Sequence, residues 1–220
     1  MAGLWVNEHV DDHGQHMTDV VRRLRMDLPR LAPALWGSLR GPADGDVPEA
    51  LRAAVEPMSL PDELDVFLRA HDGQSSEAGW WPTLDSGRLL SGEQIAEQIA
   101  WFRSHGQPWQ WSVAWIPIAH EQWYQAVIDA APERSRTVID ASWPDLPRAI
   151  APSFAHAVDA VVDLGRAGLL PIDDDRARRL EREAFLDDLW QEPWSASSLR
   201  QRTEIQPVNW PPSWGGPYVI

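Results

Sequence analysis

The chain contains no cysteine and no lysine, and none of its 220 residues belongs to an apolar run long enough to cross a membrane. Without thiols there are no disulfides and no thiolate metal sites, which suits a reducing compartment. The first residues, MAGLWVNEHVDDHGQHM, lack the basic segment and apolar run of a signal peptide. A cytoplasmic globular protein with no membrane association is expected. At this length, folding buries about 70% of the surface the unfolded chain exposes, so no covalent staple is needed.

All 19 basic residues are arginine, and they face 33 acids, for a net charge of -14. That sign argues against nucleic acid, whose phosphates need a basic footprint. It permits a basic protein partner. Residues 61–130 are the densest part, with ten acids and three arginines. Such charge serves either solubility or a partner-facing patch.

Catalytic signatures are also missing. There is no G-x-S-x-G elbow, no H-E-x-x-H and no phosphate-binding glycine loop. His120-Glu121 has no second histidine at zincin spacing, and Asp62 and Glu63, adjacent on a helix, point to different sides. His71 is placed to cap the last carbonyls of its helix, and His156 shows no acid-base partner. His9, His13 and His16 could share a face, but Gly14 interrupts them and no confirming ligand follows. Asp173, Asp174 and Asp175 lack the spacing and glycine of a calcium loop and suit a helix N-terminus. No enzyme, metal or cofactor is expected.

What is abundant is tryptophan, with fourteen residues. Trp109, Trp111 and Trp115 fall at even spacing, which in an extended strand puts them on one face. Burial in a core is the ordinary fate of such residues; an aromatic platform for sugars or a protein is the rival reading.

The element at the centre is LPDELDVFLRAHDGQ, Leu60–Gln74. Pro61 suits a first helical turn, Leu60, Leu64, Phe67 and Leu68 recur at helical spacing, and Asp72-Gly73 ends the helix. Before it, a helix is predicted from a capping Thr18, another from Pro29 with a break at Pro33, and a third, PEALRAAVE, capped by Asp46. After it, GWWPTL reads as a short strand and Ser91 with Gln94 as a capping box. The helix that box opens faces inward through Ile95, Ile99 and Phe102 and ends at Gly106. WSVAWIPIA is a strand with an edge or bulge at Pro117; YQAVID and RTVIDA follow. Ser153 opens a helix with Phe154, Val158, Val161 and Val162 inward, stopped at Gly165 or Gly168. A last helix presents Leu180, Phe185 and Leu189, and a tail with Trp194, Trp210 and Trp214 is expected to pack back on the domain. Helices first, then strands interrupted by one helix, give an α+β fold with a largely antiparallel sheet.

The same stretch resembles the signature of the SUKH superfamily: leucine-proline, a short amphipathic helix and a closing Asp-Gly. GPADGDVPEALRAAVEPMS before it, and Trp80-Trp81, LLSGEQIAEQIAWF, WSVAWIPIA and APSFAHAV after it, match in order over roughly residues 30–165. A SUKH-like domain is expected at 18–170, after an extension at 1–17 with little hydrophobic periodicity and before a C-terminal helix and tail at 171–220 that depart from the family pattern. The resemblance implies a protein-binding role. Many bacterial members are immunity proteins that neutralise polymorphic toxins, often nucleases, and eukaryotic relatives regulate cell-wall assembly. The expected function is therefore a non-catalytic immunity protein for a cognate toxin, the acidic charge suiting a basic nuclease domain. A cell-wall-assembly or signalling adaptor and a carbohydrate-binding module are the alternatives. The signature residues are scaffold, so the expected partner surface combines acids and aromatics near the strands: Asp72, Glu77, Trp80, Trp81, Asp85, Trp109 and Glu121.

Overall fold

The computed structural model describes residues 13–45, 47–75, 81–84, 87–105, 112–121, 124–131, 137–141, 148–170 and 184–186. The fold is α+β, with helices packed on a five-stranded antiparallel sheet.

Helix α1 (His13–Leu31) buries Met17, Val20, Val21, Leu24 and Leu28, an unbroken stripe at helical spacing. That stripe moves the helix start ahead of Thr18, whose hydroxyl donates to the Gly14 carbonyl (2.9 Å) from inside the helix instead of capping it. The expected boundary between residues 17 and 18 thus falls within α1, and Gly14 does not break it. Pro29 lies in the last turn of α1 and begins nothing; Pro33 opens α2 (Pro33–Ser38), where its missing N–H has no intrahelical role. Helix α3 (Val47–Val55) buries Leu51 and Val55, while its expected cap, Asp46, is outside the described residues.

Helix α4 (Asp62–Ala70) carries the central stripe, with Leu64, Phe67 and Leu68 buried. Pro61 is its N-cap rather than its first helical residue: ψ is 132°, and its carbonyl accepts the Leu64 and Asp65 amides. The helix stops at Ala70, and Gly73 turns the chain at φ +73°.

The strands run in chain order as a meander: β1 (Arg88–Leu89), β2 (Trp115–Glu121), β3 (Tyr124–Asp129), β4 (Val138–Asp140) and β5 (Arg148–Ala151). Helix α5 (Gly92–His105) is inserted between β1 and β2, and α6 (Phe154–Arg166) follows β5. The pleat sends Ile116, Ile118, Ala126, Ile128, Val138 and Ile150 into the main core with the helices. Trp115, Val127 and Ile139 form a second cluster, on which Phe102 of α5 packs. Pro117 causes the expected register shift in β2, between Pro117 and Ala119, but β2 is an inner strand, not an edge. Residues 82–84 form a turn, so GWWPTL is not a strand there. In α6, Ser153 caps the His156 amide, the four expected residues are buried, and Gly168 (φ +74°) ends the helix.

Only the short helical piece 184–186 is described beyond residue 170; Phe185 and Leu186 pack against the main core. The expected features at Asp173–Asp175, Leu180, Leu189, Trp194, Trp210 and Trp214 lie outside the described residues.

Candidate partner-binding cleft

The Leu60–Gln74 stretch works as a clasp on three other elements. Glu63 is fully buried, and its carboxylate accepts the amides of Phe154 (3.3 Å) and Ala155 (3.0 Å) at the start of α6. Anionic oxygen at a helix N-terminus meets both the unpaired N–H groups and the positive end of the dipole. Asp72 does the same for α5, accepting the Gly92 amide at 2.8 Å. Gln74 seals the outer side of β1: its amide donates to the Leu89 carbonyl, its side-chain oxygen accepts the Leu89 amide, and its Nε2 donates to Ser38. A side chain at Gly73 would meet the Leu90 carbonyl carbon at 2.6 Å, so glycine is required by contact as well as by φ.

Beside this clasp, α5 and β1 leave a cleft of about 390 Å³. Its floor includes Leu89 and Leu90, and its walls carry Arg88, Gln94, Glu97, Gln98, Trp101 and His120. Local sequence puts these side chains there. Ser91 and Gln94 form the predicted reciprocal capping box (3.2 and 2.9 Å), which fixes where α5 starts. Ile95 and Ile99 then turn inward, so Glu97, Gln98 and Trp101 turn toward the cleft. Gln125 on β3 donates to Gln98 Oε1 (3.1 Å), which directs the Gln98 amide nitrogen to His120 Nδ1 (3.4 Å). Arg88 pairs with Glu121 at 2.9 Å across β1 and β2. Trp101 stands at the lip, 54% exposed, its ring stacked on His105.

The sequence-predicted surface is only partly assembled. Glu121 sits at the cleft through Arg88, and Asp72 lies at the α5 start, half-buried in its capping role. Trp81 corrects the expectation: it is wholly buried in the main core, because the turn at 82–84 carries the aromatic inward. Glu77, Trp80, Asp85 and Trp109 lie outside the described residues. Trp101, Glu97, Gln98 and Arg88 were not foreseen. Their signal was the polar face opposite Ile95, Ile99 and Phe102, with Glu93, Glu97 and Trp101 one turn apart.

Among the described residues, much of the acidity of residues 61–130 is engaged within the fold. Glu63 and Asp129 are buried, Asp65 pairs with Arg52 and Arg69, and Glu121 pairs with Arg88. Glu93 and Glu97 remain exposed, with no ion pair among the described residues.

Two other titratable groups are structural. His71 is buried between Trp36 and Phe67, and its Nδ1 lies 3.2 Å from the Arg40 carbonyl, not at the carbonyls of its own helix. Burial pushes its pKa below the ordinary value, with Arg25 adding slightly, against the Arg40 hydrogen bond. Asp159 on α6 is pushed up by burial, although Arg23 of α1 holds it at 2.5 Å and also reaches Asp163 at 3.0 Å. His156 has neighbours the sequence did not reveal: Ser153 Oγ at 3.0 Å and the His16 ring, edge-on at 4.8 Å. Among the described residues, no three metal-ligating side chains converge.

A scan against known protein families finds no match, and neither does a search among curated proteins.

Proposed function

We propose that this chain is a non-catalytic protein-binding module that engages its partner through the α5–β1 cleft. With the SUKH resemblance of its sequence, the partner is a toxin delivered between cells, and binding neutralises it by covering its active face. The observation that carries the reading is Trp101. Among the described residues three large apolar side chains are exposed, Met26, Trp101 and Val113, and of these Trp101 borders the cleft. Tryptophan is among the residue types enriched at the energetic anchors of protein interfaces. The mixed lining of amides, one ion pair and one free carboxylate supplies hydrogen bonds for a polar rim.

The test is neutralisation. A tagged chain is used to isolate its partner, and the partner is then expressed in a host with and without the chain. A one-to-one complex and restored growth are expected, with rescue weakened by Trp101→Ala. Capture of a non-toxic envelope or signalling protein would move the assignment to an adaptor, and the absence of any stoichiometric protein would contradict the binding-module reading.

A further inference from the structure

We infer that the Glu97–Trp101 lip of the cleft is a receptor for a cationic side chain, arginine above all, presented by the partner. The inference rests on the protein-binding reading of this cleft and adds the chemistry of what enters it.

Glu93, Glu97 and Trp101 follow one another at four-residue spacing on α5, so a single helix face carries carboxylate, carboxylate, indole. Glu97 and Trp101 both line the cleft. The one arginine in the lining, Arg88, is held by Glu121 at 2.9 Å, whereas Glu97 has no ion pair among the described residues. A negative charge and an exposed aromatic ring thus share one lip. A guanidinium satisfies both, since it stacks on an indole and donates a fork of N–H groups to a carboxylate.

Ser75, also in the lining, adds a neutral hydroxyl acceptor for the remaining donors, the Gln94 oxygen being held by the capping box. An anionic ligand would face Glu97 with only an already paired arginine in support. The overall charge of -14 raises the local concentration of cations at such a lip.

The inference is tested on the full chain with three probes: a short arginine peptide, the same peptide with citrulline in place of arginine, and a neutral oligosaccharide. Binding is followed at the Trp101 indole N–H resonance, identified by its loss in Trp101→Phe. The arginine peptide is expected to displace that resonance saturably, with an affinity that falls with salt. Citrulline is expected to bind roughly threefold or more weakly, and Glu97→Gln to remove the difference. Equal displacement by the citrulline peptide or by the oligosaccharide would overturn the inference in favour of a neutral ligand. No displacement by any probe would overturn it outright. If the isolated partner still binds while the arginine peptide does not, the binding-module reading stands and the cation receptor fails. If the peptide binds and no protein partner exists, the receptor stands and the module reading fails.

Discussion

Glu63 and Ala155, 92 residues apart in the chain, are joined by a carboxylate–amide hydrogen bond of 3.0 Å inside the core. This contact ties the central helix to the start of α6 and explains why an acid is buried in the apolar heart of the fold. Replacing Glu63 by alanine strands the Phe154 and Ala155 amides away from water. The expected loss is about 2–4 kcal/mol of stability, from hydrogen bonds to a charged group and the unmet donors. Urea unfolding measures it, and a loss below about 1 kcal/mol would show that the clasp is dispensable.

Two glycines should respond in opposite directions. Gly73→Ala forces a side chain into the left-handed region and against the Leu90 carbonyl, and should cost at least about 2 kcal/mol. Gly37 lies within α2 with open space where a Cβ would go, so Gly37→Ala should gain about 0.5–1 kcal/mol. Thermal melts of the two variants check both signs.

Stability should fall on mild acidification, because of His71. Its folded pKa lies below its ordinary value of 6.5, so under acidic conditions the unfolded chain binds the proton more readily. The contribution is intact above pH 6.5 and is lost as pH falls from there through the folded pKa. His71→Asn keeps a donor for the Arg40 carbonyl but cannot titrate. Its stability–pH curve should be flatter than wild type below pH 6.5; parallel curves would assign the slope to other groups.

The α1–α6 ion pairs give a prediction of the opposite pH sense. Asp159 has a raised pKa, so its charge is a cost that grows as pH rises above the unfolded value of 3.8. Arg23 offsets that cost from the neighbouring helix. Arg23→Met should therefore destabilise more at pH 7 than at pH 4, by about 1–2 kcal/mol for this partly buried cluster. Equal losses at both pH values would point to packing of the arginine stem instead.

The helices were legible in the sequence where apolar spacing was long and capped. The Ser91–Gln94 box, the Ser153 cap and the stripe of α4 stand as read, since short-range hydrogen bonds and periodicity determine them. Strands β1 and β5, of two and four residues, show no alternation to read and exist through their ladder partners. Thr18 misled because Met17, one residue ahead of it, already belongs to the buried stripe, which outweighs a favourable cap residue. Asp72, an expected contact acid, is instead engaged by the α5 amide that the fold brings to it over twenty residues. Trp81 was misplaced because sequence gives aromatic content but not the turn that buries it. The cleft was hidden for a related reason: Trp101 and Arg88 come to line one cleft only through the tertiary fold.

The division between clasp and cleft is most directly tested by measuring partner affinity and thermal midpoint together for wild type and Trp101→Ala. Trp101 is half out of the fold, so its removal should leave the midpoint within a few degrees while weakening the partner by about tenfold or more. Unchanged affinity in a normally folded Trp101→Ala protein would contradict the account and place the partner on another surface.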